Sequence, residues 1–149
     1  MSGYLLDTNV VSMLSPTRAV SIEFLEWLRR KDDTGEVFLS AVTVHEIRRG
    51  IGLLEHKGAT TKAAKLEVWL SGLLSAYADK ILAFDARAAA FSGSLEAAAI
   101  SAGNDPGMAD VAIAGIAKTR NLTIITRNAK DFEPFGVSIV SLDDAEALG

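Results

Sequence analysis

The chain has 149 residues, two histidines, no cysteine and a formal net charge of −4 at pH 7. This length fits one domain, residues 1–149, that can bury about 70% of its unfolded surface, and the lack of cysteine excludes disulfides and thiolate zinc sites, leaving oxygen atoms as the main ligands for any metal. The acidic balance argues against a surface that binds nucleic acid through bulk charge, and no apolar stretch reaches the ~20 residues that a membrane span needs, so we expect a soluble cytoplasmic protein.

The first predicted strand, Tyr4–Leu6, leads directly to an acid, Asp7. Thr8 and Asn9 are residue types that cap helices, so we expect the chain to turn from strand into helix there. In an open α/β sheet, functional groups collect beyond the carboxyl ends of the strands, which makes Asp7 a candidate site residue. Taken alone, Asp7 fits equally well as a helix cap or as a solvated loop acid.

A helix, a strand and another helix follow in turn. Apolar residues at helical spacing predict an amphipathic helix over Ala19–Lys31, and Glu36–Ser40 is typical of a second strand that ends in a cap residue. A second helix is predicted from about Ala41. The apolar stripe of this helix consists of Val44, Ile47, Ile51 and Leu54.

Glu46 lies on another face of that helix, one turn before Gly50. The glycine leaves room beside the acid, so Glu46 is a second candidate site residue. A glutamate in this setting is usually solvated or paired with an arginine three residues later, which here is Arg49.

An exposed connection at residues 58–61 joins this helix to the next, so that the two helices are predicted to form a hairpin. The apolar stripe of the second helix consists of Leu66, Trp69, Leu70, Leu73 and Leu74. Such a stripe must lie against either the core of its own domain or a partner subunit, and the sequence leaves both open.

The rest of the chain continues to alternate strands with helices. A strand at Ile81–Phe84 is followed by Asp85 and then by an alanine-rich helix at Ala86–Ala102. A loop at Gly103–Gly107 comes next, and its proline is predicted to lie in the first turn of a helix at Met108–Thr119. The remaining predicted elements are a strand at Thr123–Ile125, a loop or short helix at Thr126–Phe135, and a strand at Val137–Val140. This order predicts a mainly parallel sheet covered on both faces by helices.

Asp110 is the third candidate acid. Its neighbours on the same helical face are Ile113, Ala114 and Ala117. An acid among small apolar residues is expected to be partly buried, which is costly unless a cation or hydrogen-bond donors compensate. Stabilisation by the dipole at the start of the helix is the alternative explanation.

The segment after the fourth predicted strand supplies further polar groups to the same edge of the sheet. Thr126 and Asn128 are candidates to hydrogen-bond a carboxylate, and Asp131 is a candidate fourth acid. Arg127 and Lys130 are the basic residues nearest to these acids in the sequence. An ordinary turn with a short capped helix would explain the same residues.

Four motifs, taken together in their order and spacing, resemble those of PIN-domain ribonucleases, most closely the VapC toxins of bacterial toxin-antitoxin modules and their FitB-like branch. The motifs are Leu5–Asn9, Leu39–Ser40 leading to Glu46 and Gly50, Asp110 with Ile113 and Ala114, and Thr126–Asn128 with Asp131 and Phe132. The resemblance covers nearly the whole chain.

The resemblance implies a three-layer α/β/α sandwich in which the acids meet around Mg²⁺ or Mn²⁺. By position, Asp7 and Asp110 would be the principal metal ligands, and Glu46 would bind the metal or hold a water on it. Thr8 and Asn9 follow the first motif of the family, and Thr126 would orient a carboxylate without touching the metal.

The fourth acidic position is ambiguous in this sequence. Some relatives carry aspartate where this chain has Asn128, whereas others have their acid at the position of Asp131. An asparagine coordinates through its carbonyl oxygen but contributes no charge, which weakens the case for a second tightly bound metal. With Asp131 included, the implied catalytic set is Asp7, Glu46, Asp110 and Asp131.

The activity implied by the resemblance is metal-dependent hydrolysis of RNA by the toxin of a toxin-antitoxin module. A hard cation activates water and neutralises charge on the phosphate, and carboxylates suit such a cation. Without metal the same carboxylates repel one another and raise their pKa values. The implied partners are an RNA substrate, a second copy of the chain in a homodimer, and a cognate antitoxin that blocks the acidic pocket.

Three other functions compete with this reading. An aspartyl phosphatase would need a second acid in the motif after Asp7, and the sequence has none there. A receiver-like domain would need a phosphoacceptor, a role that Asp85 could fill, and a lysine after the last strand, where the sequence has none. A binding module that keeps the fold for complex formation and DNA-linked repression is a non-enzymatic alternative, for which Asn128 leaves room.

Overall fold

Five strands form the central sheet of the computed structural model, which describes residues 3–145. The strands are β1 (Tyr4–Leu6), β2 (Val37–Ser40), β3 (Ile81–Leu82), β4 (Thr123–Thr126) and β5 (Ile139–Ser141). Their order is β3-β2-β1-β4-β5, and all four pairings are parallel. The chain therefore leaves β1 towards one edge and later returns to its other side, which creates the crevice at which α/β sheets bind ligands.

Seven α-helices cover this sheet within residues 3–145. They are α1 (Thr8–Ser12), α2 (Ile22–Asp33), α3 (Ala41–His56), α4 (Thr60–Ala76), α5 (Ala86–Ser101), α6 (Met108–Arg120) and α7 (Leu142–Ala145). Short 3-10 turns occupy Ala78–Lys80, Ala129–Asp131 and Glu133–Phe135. None of the helices in this described range is long and apolar enough to cross a membrane.

Two apolar layers lie on opposite faces of the sheet because successive strand residues point to opposite sides. Leu6, Leu39 and Ile125 belong to the layer that packs against α1–α4. Leu5 and Ile124 belong to the layer beneath α5 and α6. The predicted three-layer α/β/α sandwich is therefore confirmed.

Serine caps explain where two of the helices begin. The hydroxyl of Ser21 accepts the N–H of Phe24 at 3.2 Å, so α2 begins at Ile22 and not at Ala19 as predicted. The hydroxyl of Ser40 accepts the N–H of Thr43 at 3.0 Å and fixes the start of α3 directly after β2. Such caps replace the backbone partners that the first turn of a helix lacks.

Two local predictions around α5 and α6 were wrong. The third strand is shorter than predicted because the chain leaves the sheet after Leu82, and the carboxylate of Asp85 instead accepts the N–H of Ala88 at 2.9 Å as the cap of α5. Pro106 lies outside the first turn of α6, since Gly107 is the residue that precedes that helix.

The α3–α4 hairpin is present, and most of its apolar stripe packs within the domain. Leu70 is buried, and Leu66, Trp69 and Leu73 lie against the same core layer. Leu74 is more exposed, with 36% of its surface accessible. The domain's own core therefore explains four of the five predicted stripe residues.

The contact between α5 and α6 depends on Gly115 of α6. A Cβ atom at this position would lie 2.6 Å from the carbonyl oxygen of Ala88 and 2.9 Å from Cβ of Ser92. Real Cβ atoms do not approach backbone oxygen so closely, so only glycine lets α6 pack at this distance from α5. This packing places the start of α6, with Asp110, beside the sheet.

We predict that Gly115→Ala destabilises the fold by about 1–3 kcal/mol, because the added methyl group must push α5 and α6 apart. Urea unfolding followed by circular dichroism measures this change. Gly93→Ala is the matched control: Gly93 lies inside α5, and apart from its chain neighbours and the backbone of its own helix, no described atom lies within 4 Å of where its Cβ would be. There, alanine should stabilise the helix by about 0.5–1 kcal/mol. Equal effects at both positions would contradict the packing argument.

Candidate functional site at the carboxyl ends of β1 and β4

Asp7 is held at the junction of β1 and α1 by contacts from two parts of the chain. Its backbone N–H donates to the carbonyl oxygen of Ile125 at 2.9 Å, which extends the β1–β4 pairing by one residue. One carboxylate oxygen accepts the N–H of Thr8 at 2.8 Å, and the other accepts the hydroxyl of Thr126 at 2.8 Å. Only 3% of Asp7 is exposed. Asp7 is therefore both the cap of α1 and a buried acid at the candidate site.

Burial is the largest influence on the Asp7 carboxyl and raises its pKa above the ordinary value. The hydrogen bonds from Thr126 and Thr8 oppose this shift, whereas the charges of Glu46 and Asp131 add to it. Within residues 3–145, Asp7 is thus a buried acid that accepts hydrogen bonds but forms no ion pair. A positive ion near it would remove the main cost of its charge.

Thr8 connects Asp7 to Glu46. While its backbone holds the carboxylate of Asp7, its hydroxyl donates to Oε1 of Glu46 at 2.5 Å. Glu46 is half-buried in α3, and the ion pairs found within residues 3–145 join Arg48 to Glu55 and Glu67 instead of using Glu46. The predicted alternative, a Glu46–Arg49 pair, is therefore absent from the described structure.

Asp110 occupies the first turn of α6. Burial, together with the charges of Asp7, Asp131 and Glu46, raises the pKa of Asp110 to about 6. The effect of three separate carboxylates on one group means that the four acids, although far apart in the sequence, share one electrostatic environment. Because Asp110 lies in the first turn, the helix dipole also stabilises its negative charge, which was the alternative explanation for an acid at this position.

The last residue of β4, Thr126, and two residues after the strand, Asn128 and Asp131, contribute to the site in different ways. The fully buried hydroxyl of Thr126 accepts the backbone N–H of Asn128 at 3.0 Å and donates to Asp7. The side chains of Asn128 and Asp131 are exposed, and the charge of Asp131 raises the pKa of both Asp7 and Asp110. The contact of Asn128 with this group is thus made by its backbone.

Two clefts meet at Glu46. The first, called here the hydroxyl cleft, has a volume of about 220 Å³ and is lined by Thr8, Ser12, Ser15, Arg18, Lys62 and Trp69 among others. The second, called the apolar cleft, has a volume of about 450 Å³ and includes Val42, His45, Arg49, Phe84 and Met108. The orientation of the Glu46 carboxylate therefore decides which cleft its free oxygen faces.

The predicted basic residues lie in two separate depressions. Lys130 lines a hollow of about 170 Å³ together with Asp110 and Asp131. Arg127 lines another, whose walls include Val20 and Asp143 but none of the four acids. Asn9, the remaining candidate, is exposed in the first turn of α1.

The acids suit a divalent cation in their donor chemistry. Within residues 3–145, no three His, Asp or Glu side chains are arranged as a ready-made metal cage. Mg²⁺ does not require one, since it keeps several waters and is commonly held by one or two carboxylates plus substrate phosphate. A buried Asp7 and an Asp110 with a raised pKa offer such carboxylates.

Sequence reasoning missed Thr43, which is fully buried and lies within 2.9 Å of the Thr8 hydroxyl. Its position in the stripe of α3 next to apolar residues gave no hint of a polar contact. The available signal was the Ser40-x-x-Thr43 spacing, because a serine cap points its hydroxyl at the third residue of the helix.

Comparison with known proteins gives one consistent family. The model of the PIN domain matches residues 4–135. Toxin FitB of Neisseria gonorrhoeae is 34% identical over 139 residues, covering 91% of this chain and 94% of FitB, and the VapC ribonuclease Y4jK of Sinorhizobium fredii is 34% identical over 140 residues, with coverages of 91% and 94%. A solved structure of FitAB bound to an IR36 DNA fragment matches with a TM-score of 0.71, 32% identity and coverages of 93% and 94%.

The raised pKa of Asp110 predicts a pH-dependent stability in metal-free buffer. Its folded pKa of about 6 exceeds the ordinary 3.8, so between these values the folded chain binds more protons than the unfolded chain. The free energy of unfolding therefore falls as the pH rises through this range. Asp110→Asn should stabilise the protein at pH 7 by roughly 1 kcal/mol, after allowing for solvent screening of this half-exposed group.

Urea unfolding in EDTA at several pH values tests this prediction, and the gain should shrink as the pH is lowered towards 4. Asp79→Asn is the matched control, because Asp79 is exposed before β3, at the opposite end of the strands. A pH-independent gain, or an equal gain from Asp79→Asn, would show that charge crowding does not cause the gain.

Proposed function

The chain belongs to the PIN-domain family, among its VapC and FitB toxins, and from that premise we propose that it is the metal-dependent ribonuclease toxin of a toxin-antitoxin module. The observation that supports the proposal is that the charges of Glu46 and Asp131 raise the pKa of Asp7, and that those of Asp7, Glu46 and Asp131 raise the pKa of Asp110. Mutually destabilising acids in a crevice are typical of a functional site, since stability alone would not select them.

The proposed cation is Mg²⁺ or Mn²⁺, held mainly by Asp7 and Asp110. Both carboxyls have raised pKa values, and a hard cation would offset the cost of their negative charge. Carboxylate oxygens are the ligands that such a cation prefers. When bound, it would supply Lewis-acid activation of water and neutralise charge on the phosphate. Thr126 and the backbone of Thr8 hold Asp7 at a fixed orientation, so little reorganisation is needed on binding.

Glu46 is the proposed proton acceptor. The Thr8 hydroxyl occupies Oε1, which leaves Oε2 free to hydrogen-bond the attacking water and take its proton. Asp131 is the proposed fourth acid in preference to Asn128, because its charge acts on both Asp7 and Asp110 whereas the contact of Asn128 is made by its backbone.

The proposed path of the RNA follows the depressions around these acids. Lys130 lies beside Asp110 and Asp131, and Arg18 and Lys62 line the hydroxyl cleft next to Glu46. These cations would bind phosphates on either side of the bond to be cut. Arg127 lies in a depression without these acids, so we assign it a contact with more distant RNA.

The proposed protein partners are a second copy of the chain and a cognate antitoxin. The solved FitAB structure bound to DNA supports a complex of this kind. A module that has lost its nuclease and acts only within such a complex is the alternative. Four acids that act on one another electrostatically, including a buried Asp7, favour the enzyme over this alternative.

We predict that Asp7→Asn and Asp110→Asn each lower RNA cleavage in Mg²⁺ or Mn²⁺ by at least about 100-fold, because each removes charge needed to hold the cation. The measurement is cleavage of labelled RNA by chain freed of antitoxin. Asp79→Asn is the matched control, since Asp79 is an exposed aspartate before β3, at the opposite end of the strands. Cleavage that survives both site substitutions would rule out this site, and a folded wild type without cleavage would favour the binding module.

We also predict that millimolar Mg²⁺ or Mn²⁺ raises the melting temperature by about 3–6 °C, because the cation relieves repulsion in the folded state only. Differential scanning fluorimetry after EDTA treatment measures the shift, with NaCl at matched ionic strength as the control. The Asp7→Asn/Asp110→Asn double variant should lose most of it. An unchanged wild-type melt would argue against a metal held by these acids.

A further inference from the structure

A chain of hydroxyl groups runs from the start of α3 to the Glu46 carboxylate. The hydroxyl of Ser40 donates to that of Thr43 at 3.2 Å, the hydroxyls of Thr43 and Thr8 lie 2.9 Å apart, and Thr8 donates to Glu46 at 2.5 Å. Ser40 and Thr43 are both fully buried. This chain continues beyond the residues that the proposed function uses.

The direction of every bond in this chain follows from the number of hydrogens. A hydroxyl has one hydrogen to donate, and an ionised carboxylate only accepts. Because Thr8 gives its hydrogen to Glu46, the hydrogen between Thr8 and Thr43 must come from Thr43. Thr43 can then only accept from Ser40, as its geometry indicates, while Ser40 accepts the backbone N–H of Thr43.

The result is a one-way chain in which each hydroxyl donates once and accepts once. It begins at a backbone N–H, which cannot turn, and ends on Oε1 of Glu46. Bonds in such a chain polarise one another, and none of its three hydroxyls is left free to rotate. The carboxylate of Glu46 is thereby held in one orientation between the hydroxyl cleft and the apolar cleft.

We propose that Thr43 is a positioning residue of the nuclease, whose buried hydroxyl orients Thr8 and, through Thr8, the Glu46 carboxylate. The proposal rests on the proposed function, since Glu46 needs a fixed orientation only if it acts on a substrate. Without the Thr43 hydroxyl, the hydroxyl oxygen of Thr8 loses the hydrogen bond that it accepts in this half-buried site. The Thr8 hydroxyl can then rotate away from Glu46, and the Glu46 carboxylate can turn into either cleft. Residues that orient a site in this manner typically contribute 10–100-fold to its activity or metal affinity.

The test compares Thr43→Val, which keeps the shape but loses the hydroxyl, with Thr43→Ser, which keeps the hydroxyl. For Thr43→Val we expect kcat to fall about 10–100-fold with little change in KM, and for Thr43→Ser we expect most of the rate to return. The matched control is Thr119→Val, because the hydroxyl of Thr119 bonds the Gly115 carbonyl within α6 at 2.9 Å and has no part in the chain. Full activity of Thr43→Val would overturn the proposal.

A double-mutant cycle separates action through Thr8 from a general loss of packing. Thr8→Val cuts the same chain one step nearer to Glu46, so adding Thr43→Val to it should cause no further loss. Multiplicative losses would overturn the proposal. Should Thr43→Val fail to fold, Thr8→Val decides instead: a wild-type rate in that variant would show that the chain does not act on Glu46.

A readout that needs neither metal nor RNA distinguishes this proposal from the proposed function. In crystals of metal-free Thr43→Val, we expect Glu46 to leave its wild-type rotamer and face one of the two clefts, while Thr43→Ser and Thr119→Val retain it. An unchanged rotamer in Thr43→Val would overturn the positioning role. A wild type that folds but does not cut RNA would overturn the nuclease, whatever the rotamer shows.

Discussion

The pairing of β1 with β4 is the constraint on which the site depends. It brings the end of the first strand beside a segment more than a hundred residues later, so that the backbone of Asp7 bonds Ile125 and its carboxylate bonds Thr126. The pairing is strong because both strands are buried between two apolar layers, one on each face of the sheet. The energy of packing thus holds an acid in a place that its own solvation disfavours.

The site contains two opposing sets of forces. The acids repel one another and are partly stripped of water, which raises the pKa of Asp7 and Asp110. Hydroxyl and amide donors from Thr8 and Thr126 offset part of this cost without adding positive charge. Such an arrangement keeps the acids together and leaves their negative charge available to an ion. A buried arginine or lysine would have neutralised that charge.

The sequence predicted much of the fold because its signals are local. Alternating strands and helices, and the acids that follow or open them, are visible in the order of residues, and the charge of Asp7 does act on the pKa of Asp110. Element ends were less predictable: α2 begins three residues late because Ser21 caps it, and β3 stops at Leu82. The roles assigned to the site residues remain proposals.

The hydroxyl chain and the path of the basic residues could not be read from the sequence. Thr43 contacts Thr8 only because α3 packs beside α1, and nothing in a helical stripe separates a threonine that fills space from one that donates a bond. Arg127 and Lys130 are neighbours in sequence, yet they line different depressions because a 3-10 turn begins between them. Contacts of this kind depend on how the helices and loops pack together, and the order of residues says little about that packing.

The long separation between Asp7 and Thr126 has a consequence for the synthesis of the protein. A ribosome must release β4 before the first acid can gain its hydroxyl partner, because 119 residues separate the two. Nascent or prematurely terminated chains that lack the fourth strand therefore cannot assemble the crevice, even though Asp7, Glu46 and Asp110 have already been made. The topology itself keeps unfinished copies from forming a complete centre.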